Sequence, residues 1–208
     1  MKRETRVAPD EMANEVIKVM ENRESMESRV TYRLVNKKNV RPDEIYDTWK
    51  GDLVIVYRID IDKEKAAIIS ETVLHNQFNG DMEKIRRLAR ENTPRLHPPK
   101  FMGMMETIGI PMSEPETMYI LTNKDQIGGA TSILYPGIGN VIREKFKGAY
   151  YLIPSSIHEL IIIPADGMEY EDLNEIIGQV NGTQVPEFEQ LGDAALYVTE
   201  NNEIKGGF

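Results

Sequence analysis

The segment Ala149 to Gly167, "AYYLIPSSIHELIIIPADG", constrains this chain most. Two apolar runs flank a polar knot, Ser155-Ser156-Ile157-His158-Glu159. Apolar residues fall on consecutive positions of both runs, so each run has both faces covered and belongs inside a sheet rather than on its rim. Strands are expected near 149–154 and 157–163, joined as a central antiparallel hairpin. Pro154 and the serines mark the reversal, because serine hydroxyls in turns bond nearby backbone groups.

The knot also suggests hydrolase chemistry, with Ser155 or Ser156 as nucleophile and His158 as base. Side chains of consecutive strand residues point to opposite faces. With 157–163 extended, His158 sides with Leu160 and Ile162, and Glu159 with Ile161 and Ile163. That geometry forbids a simple His–carboxylate dyad. No G-x-S-x-G elbow surrounds the serines, and no neighbouring glycine suggests an oxyanion hole. The turn reading therefore leads, with ligand binding and nucleophilic catalysis behind it.

The rest of the chain supplies an α+β context. "RVTYRLV" (29–35), "LVIVYRIDI" (53–61), "AAIIS" (66–70) and "TMYILTN" (117–123) read as strands. "DKEK" turns the second into the third, while 36–52, which contains Trp49, reads as a polar connection. Asp10 is a plausible cap for a helix over 10–21, with Met12, Val16, Ile17 and Met20 on one stripe. Asp81 caps "MEKIRRLARENT", and Pro94 marks its end. "PRLHPPK" reads as a stiff loop. "EDLNEIIGQVN" is amphipathic, with Leu173, Ile176, Ile177 and Val180 inward. "AALYVTENNEIKGG" closes the chain as a hairpin. The stretch 128–146 reads either as a strand and glycine turn or as two short helices broken at Pro136. Strands joined mostly by hairpins, with helices inserted between pairs, indicate an α+β fold with a largely antiparallel sheet. Residues 1–24 form an N-terminal helical segment, and 25–208 a single domain.

The chain has 208 residues, enough to bury roughly 70% of its unfolded surface without a metal or disulfide staple. It contains no cysteine. Disulfides, thiolate catalysis and cysteine zinc sites are thereby excluded, and a reducing compartment fits. No apolar run approaches the roughly 18 residues of a membrane span. "MKRETRVAPDEM" lacks the apolar core of a signal peptide. A cytoplasmic protein with no membrane partner is expected. Net charge is −9, but residues 1–100 carry +2 and residues 101–208 carry −11. The acidic half should repel phosphate backbones, so no nucleic-acid partner is expected.

Cofactor and metal signals are absent. "GGATSILYPGIGN" lacks the G-K-[ST] of a P-loop, and "GIGNVI" has Ile142 where a dinucleotide fingerprint needs its third glycine. His75, His97 and His158 are widely spaced, as hydrogen-bonded structural histidines are, so no metal site is assigned. The methionines of 101–112 suggest a groove or adaptable core packing.

"MYILTN", "GGATSILYP", "YYLIPSSIHELIIIP", "DLNEIIGQVNGTQV" and "LGDAALYV" follow in an order and spacing that resemble domain-of-unknown-function family 5688, uncharacterised proteins of gut clostridia and their mobile elements. "YRLVN", "LVIVYRI" and "ENTPRL" agree upstream, so the likeness covers roughly 25–200. The chain departs from the pattern between Phe101 and Ser113, and at Gly137 and Gly139, where better helix formers are expected. The resemblance brings no activity, cofactor or catalytic residue. Function is therefore read as a non-catalytic binding or interaction module for a protein or small ligand, its contact surfaces the acidic second half and the 101–112 segment. The alternatives are a small-ligand pocket where Thr122, Asn123, Gly128, Gly129, Ser155, Ser156, His158 and Glu159 converge, and the serine hydrolase.

Overall fold

The computed structural model describes residues 16–63, 65–107, 117–146, 148–166 and 169–206. The fold is α+β and its strand pairings are antiparallel, but the strands divide between two sheets. In the first, β3 (Leu53–Asp60) is the axis. β1 (Val30–Asn36) pairs along the whole of one edge, from Val30↔Ile59 to Asn36↔Leu53. β2 (Tyr46–Lys50) and β4 (Ala66–Ile68) share the other edge, β2 against Leu53–Val56 and β4 against Arg58–Asp60. The second sheet has the order β10-β9-β7-β8-β6-β5, built from β5 (Pro99–Gly103), β6 (Tyr119–Asn123), β7 (Tyr150–Ser156), β8 (Glu159–Pro164), β9 (Leu196–Val198) and β10 (Ile204–Gly206). The β7–β8 hairpin lies at its centre, as its doubly apolar strands require.

One core joins both sheets. Val30, Leu34 and Ile59 of the first pack in the same cluster as Leu121, Leu152 and Ile162 of the second. The helix Met82–Leu96 adds Ile85 and Ala89 to that core and places Asn92 and Thr93 on the same buried stripe. Asp81 caps its start by accepting the Lys84 N–H at 2.9 Å. Every residue of β1 is buried, so its outer edge must find partners within the protein. Thr93 Oγ1 accepts the Tyr32 N–H at 3.1 Å, Thr131 Oγ1 accepts the Leu34 N–H at 3.0 Å, and Asn92 Nδ2 donates to the Val30 carbonyl at 3.1 Å. Side chains from two other elements thus close an edge that no strand among the described residues covers. On the far face of the second sheet, the helix Tyr170–Thr183 packs Leu173 and Ile177 against Tyr151 and Ile163.

Several elements differ from the sequence reading. The 36–52 connection contains β2, and a helix that the sequence reading lacks spans Glu71–Phe78. Ser70 caps that helix and Asn79 ends it in the left-handed region at φ 56°. Pro94 lies inside its helix, which runs on to Leu96 because Asn92 and Thr93 are anchored to β1. The "stiff loop" supplies the first residues of β5. Within 128–146 the two-helix alternative holds: a 3₁₀ helix at Gly129–Leu134 and an α-helix at Ile138–Lys145. Gly137, where a better helix former was expected, caps that second helix at φ 84°. Ile176 faces solvent, unlike Leu173 and Ile177. Residues 16–21 are helical, while Asp10 and Met12 lie outside the described residues. Among the described residues no helix is long and apolar enough to cross a membrane.

Candidate functional site

The polar knot is a two-residue turn. Ser156 pairs with Glu159, leaving Ile157 and His158 at the tip, and the β7–β8 register shifts between Ile153 and Ser156. His158 is therefore a turn residue, and the parity that would put it on a face with Leu160 does not apply. Ser156 Oγ accepts the His158 backbone N–H at 3.1 Å, the local bond expected of a turn serine. The imidazole looks elsewhere: Nδ1 accepts the Gly128 N–H at 3.2 Å, and Nε2 lies 3.6 Å from Glu189 Oε1. Both ring nitrogens are engaged away from the serines. Ser155 lies on another side, at a cavity of about 190 Å³ lined mostly by apolar residues such as Ile153, Ile163 and Ile177.

The structure does bring the 122–129 segment to this turn. Thr122 Oγ1 donates to the His158 carbonyl at 2.8 Å, and Ala130 N–H to the Ile157 carbonyl at 3.2 Å. Asn123 folds back on Ile127, its Nδ2 bonding the carbonyl at 2.7 Å and its Oδ1 the N–H at 3.2 Å. Gly129 is wedged between them: a Cβ there would stand 2.2 Å from Thr122 Oγ1 and 2.5 Å from the His158 carbonyl. Of the eight residues read as a ligand pocket, Gly128 and His158 line a cleft, Thr122, Asn123, Gly129 and Ser156 brace the turn behind it, Glu159 pairs in the sheet, and Ser155 is on the apolar side.

That cleft has a volume of about 520 Å³. Its remaining charged lining comes from the first sheet and the segments around it: Arg33, Arg41, Arg58, Lys63 and Lys65, with Asp60 and Asp62. Most of these charges are paired. Arg58 meets Glu44 at 3.2 Å, Lys63 meets Asp125 at 3.2 Å, and Lys65 meets Asp62 at 3.3 Å. Arg41 is exposed; its backbone N–H donates to Glu44 Oε2 at 3.1 Å, and no carboxylate among the described residues pairs with its guanidinium.

Arg33 is the most enclosed of these cations, 8% exposed. It belongs to a buried cluster with Asp60 and His97. His97 Nε2 lies 2.6 Å from Asp60 Oδ2 and 3.0 Å from Arg33 NH2, and Arg33 NH2 lies 3.6 Å from Asp60 Oδ1. A carboxylate at 2.6 Å calls for the ring proton on Nε2, donated to Asp60, so the Arg33 NH2 at 3.0 Å touches that nitrogen without hydrogen-bonding to it. Thr31 Oγ1 donates to the other Asp60 oxygen at 3.0 Å, and Tyr135 Oη to the His97 carbonyl at 2.9 Å. Burial pulls the Arg33 guanidinium below the usual arginine range, and Asp60 opposes that pull. An arginine stays charged even so. Its NH1 is buried and makes no hydrogen bond. Asp60 also borders a second cleft, about 420 Å³, on the side of His97 and Arg95.

In sequence His97 reads as a structural histidine, and nothing there singles out the five cations. They come from separate stretches of the chain and meet only in the fold. In the methionine segment Met102 is buried in β5, Met104 and Met105 are half-buried, and Met112 lies outside the described residues. Among the described residues no group of three or more histidine and acidic side chains is placed to hold a metal ion.

A model of a family of unknown function, DUF5688, matches residues 4–198. No curated protein and no solved structure matches the chain.

Proposed function

The chain belongs to the family of unknown function DUF5688, and we propose from its geometry that it is a non-catalytic binding module whose cleft at Gly128 and His158 takes a small anion. The observation that carries this reading is Arg33: a buried, charged guanidinium on the lining of the cleft whose NH1 makes no hydrogen bond within the protein. Leaving a buried donor unpaired costs about 1–3 kcal/mol, a cost that a phosphate or carboxylate oxygen would remove. Arginine forks suit those groups, and a low-dielectric wall strengthens the attraction. Arg41 supplies a second cation whose guanidinium has no acidic partner among the described residues. The overall charge of −9 does not oppose this, because the positive lining derives from the basic first half. A hydrolase reading has less support, since the Ser156 hydroxyl is committed to the turn backbone and His158 to Gly128 and Glu189. The cysteine-free sequence fits action in the cytoplasm.

Thermal denaturation at low ionic strength tests this, because a ligand held at about 100 times its Kd adds about 2.7 kcal/mol of stability. Inorganic pyrophosphate is expected to raise Tm saturably in the wild type and less in Arg41→Ala, whose exposed side chain the fold does not need. Equal shifts in both proteins, matched by potassium chloride at the same ionic strength, would contradict the reading. Stoichiometric labelling of Ser155 or Ser156 by a fluorophosphonate probe would favour the hydrolase instead.

A further inference from the structure

The rim of the basic cleft carries Phe188, the most exposed large hydrophobic among the described residues at 69%. A lone exposed phenyl group needs no explanation by itself. This one is held in place by its backbone. It sits at the middle of the 3₁₀ helix Glu187–Glu189. Asn39 Nδ2 donates to the Glu187 carbonyl at 3.3 Å, on the chain that leads into Arg41. On the other side, the Ile157 N–H donates to the Glu189 carbonyl at 2.8 Å, beside His158. Gln190 Nε2 then ties the turn to the Asn181 and Val185 carbonyls at 2.9 and 3.0 Å. The segment is thus pinned from both walls of the cleft while its one apolar side chain is left in solvent.

The cleft is also larger than an inorganic anion requires. A volume of about 520 Å³ falls within the roughly 300–1,000 Å³ of organic-ligand sites. Building on the anion-binding reading above, we propose that the ligand carries a flat aromatic ring as well as its anionic group, as a mononucleotide does. The ring stacks on Phe188, and the phosphate meets Arg41 and then Arg33. Stacking on an aromatic face is tolerant of which base is present, because every base has a π-face. The cations supply charge recognition and the phenyl group supplies apolar contact, so the two parts of the ligand answer two separate features of the cleft.

Isothermal titration of the full chain with AMP and with ribose 5-phosphate separates the two features. Wild type is expected to bind AMP at least about fivefold more tightly, the low end of what base stacking contributes. Phe188→Ala is expected to erase that ratio and leave the ribose 5-phosphate Kd unchanged, while Arg41→Ala weakens both ligands together. The side chain of Phe188 is exposed, so its loss spares the fold. Equal affinities of wild type for AMP and ribose 5-phosphate, both reduced in Arg41→Ala, would overturn the aromatic proposal and keep the anion cleft. A wild-type preference for AMP that survives Phe188→Ala would overturn it too. Failure of both ligands to bind would remove the anion reading and this proposal with it.

Discussion

Gly129 has no room for a methyl group. A Cβ would overlap Thr122 Oγ1 and the backbone of His158 and Asn123, none of which can retreat without breaking the turn. Gly129→Ala is expected to cost about 3 kcal/mol or more, at or beyond the top of the usual overpacking range, measured by urea denaturation. A loss under about 1 kcal/mol would show that the 122–129 segment does not brace the turn as described. Ser156→Ala is milder. It removes one local acceptor from the His158 N–H, at about 0.5–1.5 kcal/mol. A reversal within 155–159 could be read because serine after proline favours turns, but Pro154, Ser155 and Ser156 belong to β7 and the chain turns later, at Ile157 and His158. The bracing of that turn could not be read. Gly128 lies 30 positions from His158 and Thr122 lies 36 positions from it, and nothing local in either stretch names the other. The absence of a nearby glycine argued against an oxyanion hole in sequence, yet in space a glycine N–H bonds the histidine itself.

At the scale of elements, β1 is the strand whose environment most needs explanation. It is buried along its length, but among the described residues only one of its edges is paired with a strand. Thr93→Val keeps the shape and removes the acceptor for the Tyr32 N–H. Leaving that amide buried and unpaired is expected to cost about 1–3 kcal/mol, while Thr93→Ser, which keeps the hydroxyl, costs less. Equal losses for both variants would mean that packing, not the hydrogen bond, closes the edge. The same anchoring explains why sequence rules ended this helix too early. Proline disfavours the helix before it, but that is a local preference, and here tertiary bonds from Asn92 and Thr93 override it. β2 escaped notice for a related reason. "YDTWK" is polar and only partly buried, so no apolar alternation marks it; its pairing to Leu53–Val56 and the Asp47–Arg86 contact hold it in place. The doubly apolar β7 and β8 could be read because burial of both faces leaves no other reading.

Across the whole molecule, charge holds elements together as well as lining the cleft. Asp47 accepts two bonds from Arg86, at 2.6 and 2.8 Å, joining β2 to the helix Met82–Leu96, and a third from Tyr57 at 2.6 Å. The Arg86 bonds hold its carboxyl below the usual aspartate range, and the Tyr57 bond adds to this. A carboxylate whose folded pKa is depressed contributes stability above its unfolded value, lost as pH falls through the folded one. Stability is therefore expected to decline as pH drops below about 4, the ordinary aspartate value. Asp47→Asn should start less stable at neutral pH and lose less on acidification; parallel urea midpoints for the two proteins from neutral to acid pH would contradict this. The sequence showed the uneven charge but not its arrangement, because Arg33, Arg41 and Arg58 converge only when β1 and β3 pair. Whether that convergence makes a binding site is tested most directly by following arginine side-chain and backbone amide NMR signals during titration with pyrophosphate. The expected result is saturable shifts at Arg33, Arg41, Gly128 and His158 with one common Kd. Shifts spread over surface lysines without saturation, or a silent Arg33, would contradict the anion cleft.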